Sequence, residues 1–156
     1  MSDGTKHGYA VGMEWTGNDG EGTKTYRSYR REYKLTAAGK VLIEGSSDPT
    51  FRGDRTKWNP EEMLLAALAS CHMLSYLHVC AVNDVVVTAY TDDAVGEMVE
   101  DSLSAKFTRV VLRPRVTVAD AGMKAKAMEL HHEAHEKCFI ARSVNFLVEC
   151  EAEVAA

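Results

Sequence analysis

The stretch 59-NPEEMLLAALASCHML-74 decides the fold of this chain. Asn59 can cap free helix amides, Pro60 is tolerated at the first helical position, and the two glutamates that follow suit the positive end of the helix dipole. Residues 63–82 are strongly helix-forming and apolar on every side, a pattern typical of a helix that is buried all round. We therefore predict a central helix that is partly buried against a second subunit.

The residues before this helix carry strand patterns. Polar and apolar side chains alternate over residues 26–35, which places Arg31 on one face together with Tyr29 and Tyr33. Ala38-Gly39 is typical of a hairpin turn into a further strand at residues 40–44. A polar loop then leads to the helix.

The residues after the helix predict strands and one more helix, with no regular alternation of the two. Asp120 can cap a second helix that runs to about Lys137. Strands are predicted at residues 85–90, 107–118 and 143–152, with a charged loop at 91–106. This order favours a single α+β domain over residues 1–156.

The composition excludes several classes of protein. The 156 residues carry 18 Lys and Arg against 23 Asp and Glu, a net charge of −5, which argues against a nucleic-acid partner. No apolar run is long enough to predict a membrane span, and residues 1–9 lack the apolar core of a signal peptide. We expect a cytoplasmic protein without a membrane partner.

Cys71 is the first candidate for chemistry. A cysteine among leucines and alanines is most often an inert core thiol. A reactive Cys71 needs a nearby cation, since only the thiolate attacks and apolar burial disfavours it. Arginines occur on the strand face that carries Arg31, and carboxylates stand at the start of the helix.

Cys138 is the second candidate, because it follows Leu130 and Ala134 at helical spacing and so projects toward the core. From spacing alone, the more common case for such a residue is another buried structural thiol. Cys80 lies nine residues beyond Cys71, about 13 Å along a helix, so these two cannot bond. We predict structural roles for Cys80 and Cys150.

A metal site is the weaker interpretation of the histidines. His131, His135 and Cys138 lie at i, i+4 and i+7 and could form a one-sided ligand set. The spacing is not that of an HExxH motif, and no fourth ligand is visible. We predict no metal and no cofactor.

Two blocks of this sequence together resemble the OsmC/Ohr family of thiol-dependent peroxidases. The first is the NPE segment with a cysteine ten residues after Glu61, and the second is 134-AHEKCFIARSVNF-146 around Cys138. Residues 46–54 and 112–114 look like the OsmC-like branch, so the resemblance spans nearly the whole chain. This chain has His72 directly after the cysteine, at a position where some members of the family carry phenylalanine.

The resemblance implies an intertwined homodimer, with two central helices wrapped by strands of both chains and active sites at the subunit interface. It implies that Cys71 is the peroxidatic thiolate and Cys138 the resolving thiol. Glu61 would hold an arginine against the Cys71 sulfur. Arg31 matches the family best at that position, and three others remain open: Arg30, Arg27 and Arg52.

The function expected from this resemblance is reduction of organic hydroperoxides, and of hydrogen peroxide more slowly, by an external dithiol. The reaction passes through a Cys71 sulfenic acid and a Cys71–Cys138 disulfide and needs no cofactor. Two alternatives are a non-catalytic stress or apolar-ligand-binding protein on the same fold, and a redox sensor that controls a partner.

Overall fold

A computed structural model describes residues 4–156 and shows the mixed α+β architecture that the sequence predicts. Residues 1–3 of the predicted domain lie outside the described residues. The chain divides into two compact units, Met1–Met63 and Leu64–Ala156. The prediction of a single domain over residues 1–156 stays a prediction.

The first unit contains a three-stranded antiparallel sheet of β1 (Gly12–Trp15), β2 (Tyr33–Thr36) and β3 (Ile43–Gly45) in the order β1-β2-β3. The β2–β3 turn contains Gly39 with a φ of +73°, a conformation that favours glycine. The predicted strand over residues 26–35 is shorter than expected, because regular pairing in β2 begins only at Tyr33. Arg31 therefore lies before the strand.

Helix α1 (Pro60–Val82) begins at the predicted signal. The Asn59 side chain accepts a hydrogen bond from the Glu62 amide at 2.8 Å, and the Glu62 carboxylate accepts one from the Asn59 amide at 3.3 Å. This reciprocal pair is a capping box, which satisfies two amides that the helix leaves free. Asp84, with a φ of +57°, follows the end of the helix.

The second unit contains two three-stranded sheets and helix α2 (Lys124–Lys137). Their strand orders are β4-β7-β9 and β5-β6-β8, and each joins one antiparallel pair to one parallel pair. The strands are β4 (Val87–Asp92), β5 (Val95–Glu100), β6 (Ala105–Leu112), β7 (Pro114–Val118), β8 (Leu147–Cys150) and β9 (Glu153–Ala155). The expected loop over 91–106 was wrong, because β5 forms there and pairs with β6.

Helix α1 packs on both sheets through one stripe of its surface. Leu68 lies in a cluster with Val110 and Leu112 of β6, while Tyr76 and Val79 lie in a second cluster with residues of β7 and α2. The buried residues of α1 are Leu68, His72, Tyr76, Val79 and Cys80. The expectation of burial on every side is not met within one chain, since Leu74 remains 63% exposed.

By length and composition alone, α1 could cross a membrane. This differs from the expectation that no apolar segment is long enough. Core helices of soluble proteins meet the same criterion, and here α1 carries the buried stripe just described. The absence of a membrane partner stays a prediction.

Candidate functional site

Two thiols that lie 67 residues apart in the sequence are neighbours in the second unit. Cys71 projects from the middle of α1 and is partly exposed, while Cys138 directly follows the last residue of α2 and is 1% exposed. Cys71 lies close enough to Cys138 to raise the pKa of its thiol. The packing of α1 and α2 in one core therefore brings together the two cysteines that the sequence singles out.

The surroundings of Cys138 favour its neutral thiol. Burial raises the pKa of Cys138 to about 11, and the neighbouring Cys71 thiol acts in the same direction. The Ala141 amide lies 3.5 Å from the sulfur and opposes this rise in pKa. At neutral pH, Cys138 is therefore a protonated, sheltered thiol beside a more accessible one.

His72 follows Cys71 directly but belongs to a different cluster. Successive helical residues point about 100° apart, so adjacent positions on α1 face different surroundings. The Nε2 atom of His72 lies 3.1 Å from the Nδ1 atom of His131 on α2, and the Cys150 sulfur lies 3.7 Å and 3.9 Å from these two nitrogens. We call His72, His131 and Cys150 the two-histidine cluster.

The two histidines of the cluster are buried, Cys150 is partly exposed, and all three side chains are electrically neutral. Burial lowers the pKa of His72 to about 4, with a smaller effect from His135, and burial also lowers the pKa of His131 to about 4. Burial raises the pKa of Cys150 to about 11, and nearby Asp92 adds to the rise. At neutral pH both imidazoles and the thiol are uncharged.

Sequence reasoning missed the two-histidine cluster, because its members come from α1, α2 and β8 and share no spacing. It interpreted Cys150 as a structural thiol and grouped His131 with His135 and Cys138. Among residues 4–156, the single group of three metal-ligating side chains is the two-histidine cluster, which shares only His131 with the set considered from spacing.

The candidate arginines lie together in the first unit. A cavity of about 310 Å³ is lined by all four of them, Arg27, Arg30, Arg31 and Arg52. The Arg31 guanidinium lies over the rings of Tyr26 and Tyr29, at 4.3 Å and 4.0 Å from their centroids, and donates to the carbonyl oxygens of both residues.

Arg30 is already paired, since its guanidinium lies 3.0 Å from carboxylate oxygens of both Asp19 and Glu32. Glu61 lies near Tyr33, whose pKa it raises in addition to the effect of burial. Within the described chain, no ion pair joins Glu61 to Arg31. Their joint role at the Cys71 sulfur stays a prediction.

Comparison with known proteins agrees with this geometry. The model of the OsmC-like protein family matches residues 53–153. An OsmC-like protein of unknown function from Vibrio cholerae is 33% identical, with a TM-score of 0.85 over 95% of this chain and 100% of that chain. No match was found among curated proteins.

Two more distant structures share the fold. An organic hydroperoxide resistance protein OsmC from Legionella pneumophila is 16% identical, with a TM-score of 0.69 over 98% of this chain and 100% of that chain. An organic hydroperoxide resistance protein from Elizabethkingia anophelis is 17% identical, with a TM-score of 0.68 over 97% of this chain and 99% of that chain.

The fold and the site therefore define a class of α+β protein in which a long helix carries one of two neighbouring cysteines. The chain belongs to the OsmC family. This confirms the resemblance found in the sequence.

Proposed function

We propose that this protein is a thiol-dependent peroxidase that reduces organic hydroperoxides. The observation that supports the proposal is the neighbouring pair of Cys71 and Cys138 in a member of the OsmC family. Two more distant proteins with this fold are named organic hydroperoxide resistance proteins. A cytoplasmic setting, which keeps thiols reduced, is part of the proposal.

In the first step, the Cys71 thiolate attacks one oxygen of the peroxide bond. The O–O bond breaks, Cys71 becomes a sulfenic acid, and the alkoxide leaves and takes up a proton to become an alcohol. The partly exposed position of Cys71 gives the peroxide access to the sulfur. The thiolate is nucleophilic only if a cation stabilises it, so the mechanism requires a guanidinium at this sulfur.

In the second step, Cys138 attacks the sulfenic sulfur of Cys71. An S–S bond forms, and the departing hydroxyl group leaves as water with the thiol proton. Because burial holds the Cys138 pKa at about 11, this thiol stays protonated and sheltered until the sulfenic acid forms beside it. An external dithiol then reopens the disulfide through a mixed disulfide and restores both thiols.

Three cysteine variants test this proposal in a coupled assay with cumene hydroperoxide and a dithiol reductant. We expect Cys71→Ser to abolish peroxide consumption, since the attacking sulfur is gone. Cys138→Ser should lose sustained turnover but keep the first oxidation of Cys71, seen as trapping of a sulfenic acid by dimedone. Cys80→Ser, a buried thiol elsewhere on α1, is the matched control and should turn over normally.

Sustained turnover by Cys71→Ser would contradict the proposal. A wild-type protein that leaves both thiols reduced in excess peroxide would do so as well. The second result would favour the non-catalytic alternative on the same fold.

We further propose that Arg31 supplies the cation, positioned by Glu61. One support is the family resemblance around Cys71. The other is that the Arg31 guanidinium stacks on the rings of Tyr26 and Tyr29 and forms no ion pair with a carboxylate among the described residues. Arg30 is the less suitable candidate, because two carboxylates already neutralise it.

Replacement of Arg31 by glutamine separates this role from a structural one. We expect Arg31→Gln to slow the oxidation of Cys71 roughly 100-fold, the scale reported for loss of one preorganised donor. The pH at which iodoacetamide alkylates Cys71 half-maximally should also rise, because the thiolate loses its counter-charge. Arg30→Gln is the control. An unchanged pH profile in Arg31→Gln would contradict the assignment.

We also propose the intertwined homodimer, on the grounds of apolar surface that one chain leaves exposed. Leu74 and Val82 of α1 are more than 60% exposed, and Phe139, directly after Cys138, is 73% exposed. Apolar surface on the element that also carries Cys71 is typical of an interface. Burial against a second copy would also shield the thiol pair from water.

Sedimentation velocity tests the dimer. We expect the wild-type protein to sediment as a dimer, and Leu74→Asp to shift it toward monomer, because a carboxylate would be buried at the interface. Leu103→Asp, at an exposed position between β5 and β6, is the matched control and should stay dimeric. A monomeric wild-type protein would contradict the proposal.

A further inference from the structure

The two-histidine cluster has no part in the peroxidase mechanism, yet it places two buried imidazoles beside a partly exposed thiol in the second unit. His72 is fully buried, and His131 is 5% exposed. Burying polar groups costs free energy unless they are paired. These three side chains come from three separate elements, so the fold brings them together and local sequence does not.

The pairing within this region is incomplete. Among the described residues of the second unit, four buried side-chain atoms have no hydrogen-bond partner: His72 Nδ1, His131 Nε2, Tyr90 Oη and Asp92 Oδ2. All four belong to the cluster or to its surroundings, since Tyr90 packs on Tyr76 and the Asp92 charge acts on Cys150. The two unpaired nitrogens are the outer ones of the two rings, while the inner nitrogens, His72 Nε2 and His131 Nδ1, converge with the Cys150 sulfur on one point.

From this geometry we propose that His72, His131 and Cys150 bind a zinc ion through Nε2, Nδ1 and Sγ. Imidazole nitrogen and thiolate sulfur are the ligands that Zn²⁺ prefers in proteins. Three protein ligands leave a fourth position for water or a small molecule.

The distances agree with this assignment. Zinc binds histidine nitrogen at about 2.05 Å and thiolate sulfur at about 2.3 Å, so a tetrahedral ion needs its nitrogens about 3.3 Å apart and each about 3.6 Å from the sulfur. The observed separations are 3.1 Å between the nitrogens and 3.7 Å and 3.9 Å to the sulfur. The three ligand atoms therefore form a triangle of the required size.

The surroundings hold one ligand ring in place. Tyr76 stacks on the His131 ring with centroids 3.9 Å apart and planes 9° apart, and its hydroxyl donates to the Ala127 carbonyl. The two imidazoles lie edge to edge, with centroids 5.4 Å apart and planes 8° apart, which is the geometry of an N–H···N hydrogen bond. Zinc binding replaces that hydrogen bond, because both of its nitrogens become ligands.

The proton balance of binding is simple. The proton between the two facing nitrogens moves to an outer nitrogen, so that His72 carries its proton on Nδ1 and His131 on Nε2. The Cys150 thiol loses its proton to solvent, so one proton is released for each zinc ion bound. The imidazoles are already neutral at pH 7 and need no deprotonation.

A route from the surface reaches the cluster. A cavity of about 330 Å³ is bounded by both His131 and Cys150, and it opens between α2 and the β8–β9 region. Its other lining residues are Met128, His132, His135, Val148 and Ala152. An ion can therefore reach two of the three ligand residues from solvent through this cavity.

Zinc uptake by purified protein tests the site. The Cys71→Ser/Cys138→Ser double variant lacks the other thiol pair, so any zinc that this variant binds cannot be held by that pair. After chelation and dialysis against Zn²⁺, elemental analysis should find about one zinc ion per chain. Adding His131→Gln or Cys150→Ser should weaken binding more than 100-fold, roughly the largest loss seen for outer-shell partners.

Matched controls are His132→Gln, an exposed neighbour on α2, and Cys80→Ser, a buried thiol outside the cluster. Both should keep the zinc. Circular dichroism checks that each variant folds. Zinc binding that survives both ligand substitutions would overturn the proposal.

A second measurement needs no substitution. In the reduced wild-type chain, Zn²⁺ should protect Cys150 from iodoacetamide and leave the alkylation of Cys80 unchanged, as followed by peptide mass spectrometry. Co²⁺ in place of zinc should give a thiolate-to-metal charge-transfer band that Cys150→Ser lacks. Unchanged alkylation of Cys150, or no uptake of either metal, would overturn the site. Neither result bears on peroxide turnover.

Discussion

The packing of helix α1 against both sheets of the second unit is the constraint on which both candidate sites depend. One buried stripe fixes the rotation of this helix about its axis. With that rotation fixed, two consecutive residues face different partners: Cys71 meets the thiol of Cys138, and His72 meets the ring of His131. A change in the rotation of α1 would separate both pairs at once.

The chemical character of each site follows from burial. At the thiol pair, the two cysteines differ in exposure: Cys71 is accessible, whereas Cys138 is sheltered and protonated, a difference that the proposed mechanism assigns to attack on the peroxide and to resolution. At the two-histidine cluster, burial keeps every member neutral, and unpaired atoms remain around it. The first arrangement suits redox chemistry with an external reductant, and the second suits a cation.

Local signals made much of the fold predictable. The Asn59 capping signal and the apolar run after it predicted the bounds of α1 closely. Asp120 caps a short 3-10 turn that leads directly into α2, so it predicted the start of that helix to within a few residues. Strand β5 was missed because its side chains are all exposed in one chain and its pairing with β6 is set by tertiary structure. Cys71 and Cys138 could be found because they lie in recognisable blocks. The His72–His131–Cys150 contacts could not, since contacts between distant elements leave no periodic signal.

The central claim is that the fold holds Cys71 beside Cys138 for disulfide exchange. It is tested most directly by treating the reduced protein with one equivalent of cumene hydroperoxide, blocking free thiols, digesting without reduction and mapping disulfides by mass spectrometry. The account predicts one dominant cross-link, between the peptides of Cys71 and Cys138, with Cys80 and Cys150 alkylated. A Cys71 oxidised to sulfinic acid with Cys138 free, or a cross-link from Cys71 to Cys150, would contradict it.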